Sequence, residues 1–539
     1  MDAPAGETPV LIVGGGPIGL ALAADLGRRG VQALLVEERE NKLNPAKMLE
    51  VSVRTMEFCR QLGIAGRVRN WGFPHDRPLD SAFVTDLQGY EIGRVRTPAL
   101  GVASDSPFSP ERGMPCPQTW FDPILQDCAR SHPSIALRHR VKLEEFVQDE
   151  DGVTATLRDR ASDRSETIRA RYLVGCDGFD STVRKALGIG LKGEPHIDWS
   201  MTVYLRIPEL HNRVDTAYRY VFVGPEGTWS FLTLVNGKDL WRLQIVDIDE
   251  SRLQNTDVPA LVRRCMGRDV PYTIEHTDLW VRKRTVADRF MDRRVFIAGD
   301  AAHAHPPNGG LGMNTGIQDA FDLGWKLAAA LQGWGGEQLL DTYDDERRPA
   351  SSRANEVSLQ NYRRLISADQ RAEIYSATPA GEAARKAIGE RLVEENEKSW
   401  HPVGVHLGYI YHPSPIVAAD GTPLPPDDTI GYQPTTFPGA RAPHVWLSSG
   451  RSILDLFGDG FVLLAFDDTP TAGIEQAAQR RGVPLAVHRI RNDKAAGLYG
   501  RRLVLVRPDG HVAWRGDRQP DDPLAMVDTV RGATSASAP

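Results

Sequence analysis

Apolar positions near the start of the chain form two short unbroken runs, residues 10–13 and 31–36, separated by a glycine-rich turn and a stretch with helical character. Short apolar runs bounded by glycine read as buried parallel strands, and the stretch between them reads as the helix that joins them. A second helix is predicted near 53–62. A third covers 118–128, where Trp120, Phe121, Ile124, Leu125 and Cys128 fall on one face. Residues 76–100 read as short strands, as do 135–137, 153–157 and 167–174. Between 198 and 248 the pattern is β-branched and aromatic, giving strands at 203–207, 218–223, 228–235 and 240–248 with turns at 224–227 and 236–237. No helix interrupts that block, so it reads as an antiparallel sheet packed beside the first unit.

Farther along, residues 294–298 form another buried strand, followed by a glycine-rich loop and a long helix at 313–331. Residues 354–400 are helical by pattern, and 402–428, rich in Pro, Gly and Asp, read as a linker. A last module, from about 431 to 531, carries strands at 461–466, 503–506 and 511–514, with a helix at 472–481. The small, polar segment 532–539 reads as a disordered tail.

Three motifs stand where strands meet loops. Gly14, Gly16 and Gly19 form G-x-G-x-x-G between the two opening strands. The first glycine permits the tight turn, the second lets backbone approach a pyrophosphate, and the third lets the helix lie close to the strand. Glu37 ends the second strand 18 residues after Gly19, placed to accept hydrogen bonds from a ribose. On this evidence the cofactor is a dinucleotide, NAD or FAD. The second motif is Asp177-Gly178 at the end of an apolar strand, whose plain alternative is a turn. The third is Gly299-Asp300 followed by Pro306-Pro307-Asn308-Gly309-Gly310-Leu311-Gly312-Met313-Asn314. Asp300 suits a polyhydroxyl chain. The N–H groups of Gly312, Met313 and Asn314, just before a helix, suit a delocalised anion.

Composition narrows the partners. The net charge of −7 argues against a broad nucleic-acid or anionic-membrane surface. No apolar run approaches the roughly 20 residues of a membrane span. The N-terminus lacks a basic region followed by an apolar stretch, so a cytoplasmic location is expected. Five scattered cysteines without C-x-x-C read as reduced thiols, with no metal framework.

Taken together, the trio of motifs resembles the flavin-dependent aromatic hydroxylases, the class A monooxygenases, in order and separation. The resemblance covers about residues 8–400, and the last module extends it. It implies an α/β fold: a Rossmann-like FAD-binding domain (1–75, 101–190 and 285–365), an antiparallel-sheet substrate domain (76–100 and 191–284), a helical segment and linker (366–428), and a C-terminal thioredoxin-like domain (429–531). By analogy Glu37 binds the adenosine ribose and Asp300 the ribityl chain. Gly312, Met313 and Asn314 face the flavin O2 edge, Asp177-Gly178 serves FAD and the nicotinamide, Val141 lies by the adenine, and the Pro307 carbonyl lies over the ring face where oxygen reacts. Lys47, seven residues before Arg54, stands where the family often has a flavin- or substrate-facing Arg; the planar fork is lost there. A solvated lysine is its plain alternative. Gln118 matches a glutamine touching the isoalloxazine, or is simply a polar helix start.

The implied reaction is hydroxylation of a small phenolic substrate by O2. NADH or NADPH visits transiently to reduce FAD, and a flavin C4a-hydroperoxide delivers the oxygen. The strand block should wall the substrate, with Tyr204, Tyr220, Trp229, Phe231 and Arg242 as candidates, though strand aromatics commonly pack in cores and an arginine is more often at the surface. His303 and His305 are either proton relays or locally bonded loop residues. The segments Arg441-Ala442-Pro443-His444, Asp455-Leu456-Phe457-Gly458 and Arg507-Pro508-Asp509-Gly510 resemble the phenol hydroxylase tail. With no cysteine beyond Cys265, that module cannot exchange dithiols; its expected role is packing on the main body or in a homodimer. Two other readings share the fold: a Baeyer–Villiger or epoxidising monooxygenase acting on a polycyclic polyketide, and a catalytically inert flavin sensor.

Overall fold

The computed structural model describes residues 6–40, 47–102, 106–212, 216–248, 256–366, 372–400, 403–447 and 450–533. Residues 44–46, next to Lys47, and 534–539 of the tail read as disordered lie outside them.

The opening unit folds as its pattern predicts. Strands Glu7–Val13 and Ala33–Glu37 pair in parallel, joined by helix Pro17–Arg28. Arg164–Gly175 flanks the first strand, Val295–Ile297 lies beyond it, and Ile135–His139 pairs with Ala33–Glu37, all in parallel. The glycine fingerprint, Asp177 and Asp300 each follow the carboxyl end of one of these strands. Loops at that edge are where open parallel sheets bind ligands. The core beneath is aliphatic: Val10, Leu11, Ile12, Leu35, Leu173 and Val174 are at most 1% exposed.

The second sheet is larger than the 198–248 block. Eight strands run in the order His303–Ala304, Thr273–Ala287, Leu191–Arg206, Leu240–Ile248, Gly227–Leu234, Arg219–Gly224, Ser81–Val84 and Glu91–Val95. All its pairs are antiparallel except Arg219–Gly224 with Ser81–Val84. The long strand Thr273–Ala287 escapes a periodicity reading because its first seven residues are all exposed. Helix Leu311–Gln332 packs against helix Pro17–Arg28. The helical stretch read at 354–400 is two helices, Thr342–Ile366 and Pro379–Trp400.

The last module has four strands in the order Leu485–Arg489, Phe461–Ala465, Leu503–Val506 and Val512–Gly516, with only the first pair parallel. It docks on the body through buried charges. Glu57 accepts hydrogen bonds from Arg54, Arg441 and Ser109, and Arg507 reaches Glu346 and Asp322. The 402–428 segment is packed rather than slack: Tyr411 and Ile416 are 3% and 0% exposed, and Arg353 holds Asp427 at 2.6 Å. All five cysteines are free thiols. Among the described residues no helix is long and apolar enough to cross a membrane, and no cluster of metal-ligating side chains occurs.

Candidate active site

Two helix N-termini, those of Pro17–Arg28 and Leu311–Gln332, meet at the loop edge of the first sheet, where Ile18 lies against Gly299 and Gly316. Gly14 has φ +112°, and its N–H donates to the Val36 carbonyl at 2.8 Å. A Cβ on Gly14 would stand 2.3 Å from the Cys176 carbonyl oxygen, and one on Gly19 would stand 2.0 Å from the Gly14 oxygen. Both positions are closed to any side chain. Gly16 differs, because a Cβ there meets nothing within 4 Å. It begins helix Pro17–Arg28 with no side-chain cap, so the first turn faces open space, as a pyrophosphate requires. Glu37 accepts the Gly15 N–H at 2.7 Å and the Arg39 N–H at 2.9 Å, which leaves lone pairs on both oxygens for hydroxyl groups. Val141 adjoins that strand end, since the Arg140 N–H donates to the Arg39 carbonyl at 3.1 Å.

At the other end, Gly310 (φ +64°) starts helix Leu311–Gln332 with no side-chain cap and no acid in the first turn. The Gly312 and Met313 N–H groups therefore lack acceptors within the helix. The side chain of Asn314 is fully used as a clip. Its Oδ1 accepts from the Ser52 N–H and the Thr55 hydroxyl, both at 2.8 Å, while its Nδ2 donates to the Gly310 and Glu50 carbonyls. The Pro307 carbonyl accepts the Gly310 N–H at 3.0 Å and closes the turn.

Asp300, next to Gly299, is exposed and makes no hydrogen bond among the described residues. Desolvation by the surrounding protein raises its pKa, against the pull of His303 and Lys47. Lys47 is exposed, and its carbonyl accepts from Arg242 at 3.3 Å. Gln118 donates its N–H to the Met48 carbonyl and its side chain to Asp122, each at 3.0 Å. Burial lifts the Asp122 pKa to about 7.

Asp177 is more occupied than its motif implies. One oxygen accepts from the Ser181 hydroxyl at 2.6 Å and the other from the Val183 N–H at 3.1 Å, so the carboxyl caps helix Thr182–Ala186. Burial raises its pKa. The free space in this motif lies around Gly178 (φ +79°). His303 is fully buried, its Nε2 2.7 Å from Asp319, whose other oxygen accepts from Arg347. Its Nδ1 stands 3.3 Å from that of His305, and burial drives the His305 pKa well down. The two histidines brace the loop from behind.

Strand parity sorts four of the five wall candidates, and a bulge opposite Phe222 and Val223 turns the fifth, Trp229, to the outer face. Tyr204 and Arg242 share the inner, polar face of the second sheet, and Arg242 reaches the backbone of Lys47. Phe231 also faces inward but packs against Ile374, Ile388 and Leu392. Tyr220 and Trp229 belong to the outer core beside helix Val258–Met266, with Arg264 stacked 4.0 Å from the Trp229 ring; the structure removes both from the substrate wall. Residues missed in the sequence complete the inner face. Arg219 donates to Glu50 at 2.6 Å, and Arg282 donates to Asn308 at 2.8 Å. Only position in a strand distinguishes Arg219 from Tyr220, and no local motif marks either.

This set of groups suits a dinucleotide with a ring system. One uncapped helix end suits a diphosphate, Asp300 is exposed and suits hydroxyl groups, and a second uncapped end suits an electron-rich edge. Comparison with known proteins agrees. An FAD binding domain family matches residues 7–358, and an aromatic-ring hydroxylase C-terminal family matches 435–534. The chain is 34% identical to a tetracenomycin B2 monooxygenase-dioxygenase of Streptomyces olivaceus, covering 97% of this chain and 98% of the relative. It is 32% identical to a 4-methyl-5-nitrocatechol 5-monooxygenase of a Burkholderia species, covering 97% of each. A solved structure of RebC soaked with chromopyrrolic acid, with 7-carboxy-K252c bound, superposes with TM-score 0.92 at 39% identity, covering 98% of this chain and 99% of that one.

Proposed function

Since the chain belongs to the FAD-dependent aromatic-ring hydroxylases and is a flavin-dependent monooxygenase, we propose that it uses NADH or NADPH and O2 to hydroxylate a phenolic ring. The observation that carries this reading is that two helix ends without side-chain caps, after Gly16 and Gly310, flank the Asp300 loop, whose carboxylate makes no hydrogen bond among the described residues. Bound FAD supplies reduction by the nicotinamide and transfer of one oxygen atom from O2 to the ring.

The protein's part is to bind, orient and exclude water. Gly14, Gly16 and Gly19 admit the diphosphate, Glu37 takes the ribose, and Val141 lies by the adenine. Asp300 receives the ribityl hydroxyls. Gln118 and Lys47 border the ring. The N–H groups of Gly312, Met313 and Asn314 meet its pyrimidine edge, where negative charge collects on reduction, and a helix N-terminus favours that charge. The Pro307 carbonyl faces the reacting side, and Asp177-Gly178 edges the nicotinamide's approach. The substrate lies between this loop and the inner sheet face, against Tyr204 and Arg242. In this reading residues 1–75, 101–190 and 285–365 carry the cofactor, 76–100 and 191–284 wall the substrate, 366–428 connect, and 429–531 brace the body.

A phenol panel tests the proposal. At least one phenol should stimulate NAD(P)H oxidation and oxygen uptake and gain a ring hydroxyl. No stimulation by any phenol, quinone or polyketide defeats it. The similarity to a tetracenomycin B2 monooxygenase-dioxygenase favours a second reading, Baeyer–Villiger or epoxidising attack on a polycyclic polyketide, marked by a product that gains a ring oxygen in place of a hydroxyl.

A further inference from the structure

The loop of residues 306–310 is held at its tip by a side chain that the functional reading does not use. Arg282, on strand Thr273–Ala287, is 1% exposed. Three of its nitrogens donate to three separate acceptors: Nε to Asp198 at 3.0 Å, Nη2 to the Ser200 hydroxyl at 2.7 Å, and Nη1 to the Asn308 side-chain oxygen at 2.8 Å. Its guanidinium lies 4.0 Å from the ring centroid of Tyr362, whose hydroxyl donates to the second oxygen of Asp198. Asp198 and Ser200 belong to the neighbouring strand of the same sheet. Among the described residues, the Asn308 bond joins this group to the loop.

A buried ion pair contributes little net stability over apolar packing of the same volume. What a full hydrogen-bond set adds is direction, because the planar guanidinium fixes where each acceptor must lie. Asn308 directly follows Pro307 and precedes two residues at positive φ, Gly309 (+93°) and Gly310 (+64°). Two glycines in succession give the tip wide conformational freedom. Pinning Asn308 removes that freedom on the Pro307 side, while the Asn314 clip removes it on the helix side.

We propose that Arg282 is a positioning residue: through Asn308 it sets the Pro307 carbonyl against the flavin ring and so governs how the reduced ring meets oxygen. This rests on the reading that the ring lies at this loop. The group is built of strand residues and one helix residue, so its geometry is set by the fold before any ligand arrives.

Two variants of the full-length, FAD-loaded protein test it. Asn308→Ala removes the loop's acceptor while leaving Arg282 with Asp198, Ser200 and Tyr362, so the sheet keeps its buried charge paired. Arg282→Lys keeps the charge, but one ammonium cannot serve three divergent acceptors. The readouts are the visible absorption bands of the bound flavin and the rate at which the photoreduced protein is reoxidised by dissolved oxygen. Neither needs a substrate or a nicotinamide. Both variants should shift the bands and change the reoxidation rate by about tenfold, the scale of one lost hydrogen bond to a charged group. If Arg282→Lys fails to fold, Asn308→Ala alone decides. A wild type that binds FAD, with Asn308→Ala matching its bands and rate, overturns the positioning role alone. A wild type that takes up no FAD overturns the functional reading as well.

Discussion

Replacing Glu57 by Gln should loosen the C-terminal module in a way that depends on pH. The Glu57 carboxylate is 5% exposed, and both oxygens are bound by Arg441, with Arg54 and Ser109 adding one bond each. Desolvation opposes its charge, but the two guanidinium groups win and hold its pKa near 2 against an ordinary 4.5. That difference of about 2.5 pH units corresponds to about 3 kcal/mol. Removing the carboxylate leaves two buried guanidinium groups facing a neutral amide, a loss of about 3–5 kcal/mol by the usual cost of breaking a buried pair. Because the folded pKa is depressed, the contribution is complete above about pH 4.5 and is lost as pH falls towards 2. Urea denaturation of wild type and Glu57→Gln at a series of pH values isolates it. The midpoints should differ by an amount equivalent to about 3 kcal/mol at pH 7. The gap should narrow steadily in acid, where a protonated carboxyl and a carboxamide are both neutral. Equal midpoints at pH 7, or a gap unchanged at pH 3, would refute the reasoning.

Asp300→Ala should weaken FAD retention, read as the ratio of flavin to protein absorbance after desalting; a fully yellow variant would count against its contact with the ribityl chain. Gly19→Ala places a methyl 2.0 Å from the Gly14 oxygen and should abolish FAD uptake or soluble expression, while normal titration with FAD would contradict the close packing. Tyr220→Phe, on the outer face, should leave substrate kinetics unchanged and cost under about 1.5 kcal/mol for the bond from the Ala217 N–H. A large rise in KM would place that ring in the pocket after all.

Much of the first sheet was legible because its signals are local. Apolar runs ending in glycine or aspartate require only neighbouring residues, and they mark the sheet edge that the proposed site occupies. The second sheet was harder. Alternation in 218–223 separates two sets of side chains but does not say which set faces the site, so pattern alone groups Tyr220 with Tyr204 and passes over Arg219. Thr273–Ala287 is exposed along its first half and carries no apolar rhythm, although it supplies Arg282. The Pro- and Gly-rich stretch 402–428 resembles a linker in composition, yet Tyr411 and Ile416 anchor it. Glu57 pairs with a residue 384 positions away, a relation with no trace in local pattern. Asp177 shows the opposite case: the motif is plain, but its carboxyl is engaged in capping a helix.

The proposed hydroxylation moves one atom of molecular oxygen onto an aromatic ring. The direct measurement is the isotopic content of the product formed with an accepted phenol under labelled dioxygen and, separately, in labelled water. The account predicts one labelled hydroxyl from dioxygen and none from water. Label arriving from water, or NAD(P)H consumed with all the oxygen released as peroxide for every phenol, quinone and polyketide tried, would contradict it.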